Sequence, residues 1–254
     1  MSGEQLGYVE GRQILDNIIQ AHEVVHSLTN TRRAGMILQL DIAKSYDKVN
    51  WTYITKVLKA FGFDHNWVRW VMALVTSSSF SILVNGSPSE IFLPSRGLRQ
   101  GDPLSPFLFI IMMEVLGWYI KHARVMGKIQ GLPLKENSQA LTHQQFVDDT
   151  MSQGIPIVKE ARVYKQILND FSMASSMEVN LSKSKIFFFN THIAIQRNIS
   201  KILGFQRDSL PSKYLGVPLL GPYNTSDYPI NIVVASLINI FVPLLSPYCY
   251  YSIP

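Results

Sequence analysis

Residues 35–43, GMILQLDIA, constrain the fold more than any other stretch. Side chains on a strand alternate between two faces. Met36, Leu38 and Leu40 therefore share one face, and Ile37, Gln39 and Asp41 share the other. An all-apolar face requires a core beneath it. Asp41 stands on the opposite face near the strand's end, where it can meet solvent or a ligand.

The flanking text alternates between helical and extended patterns. Ile14, Ile18, Ala21, Val25 and Leu28 recur at three- and four-residue spacing, which predicts an amphipathic helix within residues 12–30. Residues 51–77 read as two helices broken around Gly62. SFSILVNG and EIFLP read as short strands around a turn at Asn85 and Gly86. Ser105 and Pro106 are a good helix start, and residues 107–118 then read as a buried helix. LTHQQFVDDTMS reads as a hairpin with Asp148 and Asp149 at its bend and a wet, half-exposed shoulder at Gln144 and Gln145. Residues 157–175 suit a helix, KIFFFN a strand and IAIQRNISKIL another helix. The fold class is α+β.

Composition narrows the setting. With 47% hydrophobic and 16% charged residues the chain can bury a substantial core, which excludes global disorder. A net charge of +5 favours polyanionic partners, though only modestly. Cys249 is the only cysteine, so neither an intrachain disulfide nor a cysteine-based zinc site can form. The N-terminus has no basic-then-apolar signal pattern, and no compact basic run marks a nuclear address.

The chemistry-bearing residues are Asp41, Asp148 and Asp149. Carboxylates at strand ends and tight turns suit Mg²⁺, which needs few protein ligands because it keeps waters and substrate phosphates. A lone Asp-Asp pair is more often a solvated acidic turn. The surrounding motifs change that weighting. LDIAKSYDKVNW resembles the first palm motif of non-LTR (LINE-type) retrotransposon reverse transcriptases of plant-like type, and RGLRQGDPLSPFLF resembles the second. FVDD resembles the third, MEVNLSKSK the fourth and LPSKYLGVPL the fifth, all in the family's order. GYVEGRQILD is similar to a segment upstream of the first motif, so the likeness runs over about residues 5–219.

The resemblance implies a polymerase palm, an antiparallel sheet with packed helices, plus partial fingers and no thumb. Residues 1–35 would be a fingers fragment and upstream helix, 36–219 the palm and fingers core, and 220–254 a divergent apolar tail. It implies RNA-directed DNA polymerase activity on an RNA template, a DNA primer and dNTPs, in the nucleus. Asp41, Asp148 and Asp149 would hold two Mg²⁺ ions, with Mn²⁺ as a substitute, and the Ile42 carbonyl would face a metal. Tyr46 would sit under the incoming sugar, where a ring opposes a 2′-hydroxyl. Gln100 and Gly101 would line the nucleotide pocket. Lys183 would act near the leaving pyrophosphate. Arg12, Arg96 and Arg99 are candidates for phosphate contacts, with ordinary ion pairs as the rival account. Asp47 and Asp102 read as structural, and His143 as a hydrogen-bonding polar residue.

The text departs from the family at Ser45 and Val147, where alanine is usual, and at Ser175 and Ser176, where a glycine turn is usual. Beyond Asp227 no charged residue occurs, and this stretch reads as a frame-shifted or intron-derived tail of a truncated copy rather than a membrane span. The rival to a working polymerase is an inactive remnant that at most binds nucleic acid. A group II intron maturase would share the catalytic motifs.

Overall fold

The computed structural model describes residues 1–134 and 140–219, so the expectations for the tail and for Cys249 fall outside the described residues. The chain opens with α1 (Ile14–Asn30), then β1 (Gly35–Leu40), β2 (Ile42–Ala43), α2 (Ser45–Lys48), α3 (Trp51–Ala60) and α4 (His65–Thr76). Next come β3 (Leu83–Val84), β4 (Ser87–Pro88), α5 (Ser105–Val125), β5 (His143–Phe146), β6 (Asp149–Gly154) and α6 (Val158–Ser175). β7 (Glu178–Val179), β8 (Lys185–Phe189), α7 (Ile193–Leu203), β9 (Gln206–Arg207), β10 (Ser212–Tyr214) and β11 (Val217–Leu219) follow. Asn50 and Asp64 start α3 and α4 by accepting from the second and third backbone N–H groups of each helix.

The main sheet runs β5-β6-β1-β8-β9, with β1 at its centre and only the β8–β9 pair parallel. Alternation along β1 divides two cores. Met36, Leu38 and Leu40 belong to the larger one, with Ile54, Leu58, Phe109, Met112, Leu116 and Phe171 from the helices. Ile37 belongs to the smaller, where Val24, Val25 and Leu28 of α1 meet Met151, Phe187, Tyr214 and Leu219. Both sheet faces are therefore covered, and only the strand ends remain for chemistry.

Two expectations need correction. The helix beginning at Ser105 is longer than 107–118 and leaves a narrow stripe in solvent, with Phe107 51% and Trp118 57% exposed. It is apolar and long enough to cross a membrane by length and composition, yet it is the central helix of the larger core. The supposed wet shoulder of the hairpin is dry, with Gln144 1% and Gln145 0% exposed. α1 and α5 close over it, and amide groups satisfy the buried backbone. Asn17 Nδ2 donates to the Gln145 carbonyl at 3.0 Å, and Gln144 Nε2 donates to the Asn17 carbonyl at 3.0 Å. Gly117 admits this layer against α5, since a Cβ there would lie 2.8 Å from His143 Nε2 and 2.9 Å from Gln145 Oε1.

α6 ends at Ser176 with φ of 63°, a left-handed cap that suits glycine. This explains physically why a glycine turn is usual at that point. Ser176→Gly is expected to raise stability by about 0.5–1 kcal/mol, read from urea denaturation midpoints.

Candidate active site

Three aspartates are brought to one end of the sheet, where β1 and the β5–β6 hairpin end together. Leu40 of β1 pairs with Thr150 of β6, so the register carried one residue further sets Asp41 opposite Asp149. Phe146 pairs with Asp149, leaving Val147 and Asp148 as a two-residue turn. The bend is thus Val147 and Asp148, and Asp149 is the first residue of β6. Such turns demand positive φ, and Val147 supplies it at 57°, a conformation that a β-branched residue adopts only at a cost.

Asp41 is held through its backbone, and Asp148 through its carboxylate. The Asp41 N–H donates to Ser184 Oγ at 3.1 Å, and its carbonyl accepts from the Asn180 N–H at 2.8 Å. Ser45 Oγ donates to Asp148 Oδ2 at 3.3 Å, so the departure from alanine at this position adds a donor beside a carboxylate. The Asp149 carboxyl is pushed up to about 6, first by burial, then by the charges of Asp148 and Asp41. Mutual repulsion of this kind is what a divalent cation relieves, and an all-oxygen acidic donor set fits Mg²⁺. Among the described residues no three His, Cys, Asp or Glu side chains close into a ready-made coordination shell. Mg²⁺ takes much of its shell from water and phosphate.

The other sequence-derived candidates take varied places. Ile42 is buried in β2 and pairs with Val179 of β7, next to Asp41. Tyr46 stacks on Phe109 with ring centroids 4.5 Å apart and planes 12° from parallel. Its hydroxyl is pushed up to about 12 by burial and then by nearby Tyr8 and Asp148, so it stays neutral beside the carboxylates. Gln100 and Gly101 are exposed in the loop before α5, with Gly101 at a φ of +86° and open space where its Cβ would stand. Lys183 is exposed, and its N–H donates to the Asn180 carbonyl at 3.2 Å, in the turn that also holds Asp41. The Arg12 guanidinium donates to the backbone carbonyls of Ser2 and Gln5. Arg99 pairs with Asp102 at 3.0 Å, and Asp102 also accepts from the Leu104 N–H at 2.9 Å, which gives both a structural role. His143 is 1% exposed in β5, with Nδ1 3.0 Å from Thr142 Oγ1. Burial holds its ring well below the usual histidine range, at about 4, so it is neutral near pH 7.

Sequence reasoning passed over three contributors. Gly97 docks the loop that carries Gln100 onto the first motif. Its N–H donates to the Val49 carbonyl at 2.8 Å, the Leu98 N–H donates to the Tyr46 carbonyl at 2.7 Å, and Trp51 Nε1 donates to the Gly97 carbonyl at 2.8 Å. Its φ is +93°, and a Cβ would stand 2.8 Å from the Asp47 carbonyl oxygen, so no larger residue fits. Tyr8 packs edge-on to Phe107 at 6.1 Å near Tyr46. Gln5 contacts the turn of Val147 and Asp148 directly. Tyr8 and Gln5 lie in QLGYV, just before the predicted first helix, where periodicity carries no signal.

A largely antiparallel sheet that brings one aspartate from just past its central strand beside two from an adjoining hairpin, with helices behind, is a polymerase palm. The chain belongs to the family described as reverse transcriptase (RNA-dependent DNA polymerase), which matches residues 1–219. It is 36% identical over 110 residues to an uncharacterized mitochondrial protein of Arabidopsis thaliana, a match covering 43% of this chain and 88% of that one. It is 27% identical over 178 residues to the transposon TX1 uncharacterized 149 kDa protein of Xenopus laevis, covering 69% of this chain and 13% of that protein. It is 32% identical over 112 residues to the Pol polyprotein of the retrotransposable element R2DM of Drosophila melanogaster, covering 44% of this chain and 11% of that one. The relationship is thus to non-LTR elements, and the match spans a small part of those long polyproteins. Telomerase from Candida tropicalis, solved in complex with a fragment of telomeric RNA, shares the fold with a TM-score of 0.59 at 11% identity, over 96% of this chain and 38% of that one.

Proposed function

We propose that this chain is the nucleotidyl-transfer palm of a reverse transcriptase, adding dNTPs to a DNA primer on an RNA template with two Mg²⁺ ions. The convergence of Asp41, Asp148 and Asp149 carries the reading, with Asp149 driven to about 6 by burial and by the other two. Asp41, Asp148 and Asp149 are the residues that would hold the ions. Bound there, the metal would activate the primer 3′-hydroxyl and neutralise charge on the triphosphate.

The chain's own part is positioning. The Asn180–Ser184 turn fixes the backbone at Asp41, next to the Ile42 carbonyl. Tyr46, immobilised on Phe109, presents a rigid ring to the incoming sugar and favours deoxyribose. Gln100 and Gly101, on the loop docked through Gly97, line the nucleotide. Lys183 meets the departing pyrophosphate as a cation. The role of Arg12 is to hold the segment before α1, and its phosphate contact would be made from that place.

The experiment is single-nucleotide extension of a DNA primer on an RNA template by the full chain, in Mg²⁺ and in Mn²⁺. Incorporation is expected with either ion and with deoxy- over ribonucleotides, and chelation by EDTA should stop it. The remnant reading draws on the unfavourable backbone at Val147. Salt-sensitive RNA binding by a well-folded sample that incorporates nothing would decide for it.

A further inference from the structure

We propose that Gln5 is a positioning residue that clamps the turn carrying Asp148, an inference that rests on the polymerase reading of that turn. Gln5 is 0% exposed. Its side chain spans both backbone polar groups of one residue, Val147. Val147 N–H donates to Gln5 Oε1 at 3.1 Å, and Gln5 Nε2 donates to the Val147 carbonyl at 3.4 Å. The Gly7 N–H shares the same oxygen at 3.0 Å. One amide therefore satisfies two donors and an acceptor, and only a primary amide of this reach offers that set.

The clamp has a fixed base. The Leu6 N–H donates to the Gln145 carbonyl at 2.9 Å, and the Gln145 N–H donates to the Glu4 carbonyl at 2.8 Å. Residues 4–6 thus extend the free edge of β5 in parallel, through a bridge between Gln5 and Gln145. Glu4 pairs with Lys121 of α5 at 2.5 Å, the Ser2 N–H donates to Glu114 Oε1 at 2.8 Å, and Arg12 ties the Ser2 and Gln5 carbonyls together. Gly7 lets the strap pass, since a Cβ there would stand 2.7 Å from Val147 Cγ2.

The consequence falls on Asp148. Val147 sits in a left-handed conformation that it does not favour, and the residue after it carries the carboxylate. Holding both the N–H and the carbonyl of Val147 fixes the peptide that aims Asp148. Without the clamp the turn gains freedom while the sheet behind it stays paired.

Hydrogen exchange and kinetics of the full chain test this together. In the wild type the Val147 amide should exchange slowly, although a turn amide without a partner exchanges freely. Gln5→Met keeps the length and removes every polar contact. It should speed exchange at residues 145–149 by roughly 5- to 100-fold, leave α5 and α6 protected, and lower kcat about tenfold with the dNTP KM within about twofold. Gln5→Glu keeps the acceptor and loses the donor, so it should fall between the two, and it serves if Gln5→Met fails to fold. Unchanged turn exchange, or unchanged kcat with faster exchange, would overturn the proposal. If the wild type incorporates nothing, the polymerase reading fails, and the clamp is then judged on exchange alone.

Discussion

Asp148→Asn is expected to lower the proposed metal-dependent dNTP incorporation by about 10³-fold or more, while the chain folds as before. The substitution keeps shape and replaces one anionic oxygen by an amide nitrogen. Asp148 stands at the tip of a two-residue turn, and the contact to its carboxylate comes from Ser45 Oγ at 3.3 Å. The asparagine carbonyl can still accept from that hydroxyl, and a like charge beside Asp149 is removed, so stability should hold or rise. What would be lost is charge at the place where, on the proposed reading, a cation and the triphosphate would meet. Primer extension in Mg²⁺, run beside thermal denaturation of both proteins, separates the two quantities. Activity within tenfold of wild type at equal stability would remove Asp148 from the reacting centre.

The fold was legible where one period dominated. Alternation along β1 named the face of Met36, Leu38 and Leu40, and that face lies on the larger core. Three- and four-residue spacing placed α1, and Gly62 correctly separated α3 from α4. Failures came where burial did not follow residue type. Gln144 and Gln145 are polar, so they read as wet, yet α1 and α5 cover them and Asn17 supplies partners. That arrangement depends on a residue 128 positions away, which no local pattern encodes. Phe107 and Trp118 read as buried because the run around them is apolar throughout, and such a run cannot show which face turns outward.

The site was legible as a set of types and not as a geometry. Motif order singled out Asp41, Asp148 and Asp149, and the register of β1 with β6 sets Asp41 opposite Asp149, beside the turn that carries Asp148. The supporting groups escaped notice because they act through the backbone. Gly97 and the Asn180–Ser184 turn are defined by main-chain bonds to distant residues. Val147 and Ser176 were noted as departures, and their positive φ values explain what each departure costs. Sequence alone cannot assign φ to a valine.

Asp149→Asn should stabilise the metal-free protein near pH 7.5 by about 1–3 kcal/mol. The carboxyl has an ordinary value of 3.8 and is pushed up to about 6 in the fold, by burial and then by Asp148 and Asp41. Between those values the folded chain keeps a proton that the unfolded chain has released. Ionisation then favours unfolding, so stability falls as pH rises from about 4 to about 6 and levels off above. Asparagine cannot ionise, and its amide N–H groups can donate to the neighbouring carboxylates. The gain from the substitution should therefore be near zero below pH 4 and complete above pH 6. Urea denaturation in EDTA across that range measures it, and the same gain should raise the melting midpoint by about 2–4 °C per kcal/mol. Mg²⁺ should reverse the order of advantage, because the side chain that weakens the metal-free fold is the one a cation neutralises. Wild type should gain more stability from added Mg²⁺ than the variant does, by mass action on the folded state. A variant that loses stability in EDTA at pH 7.5, or a gain that is constant with pH, would show that Asp149 is not held against its neighbours' charge.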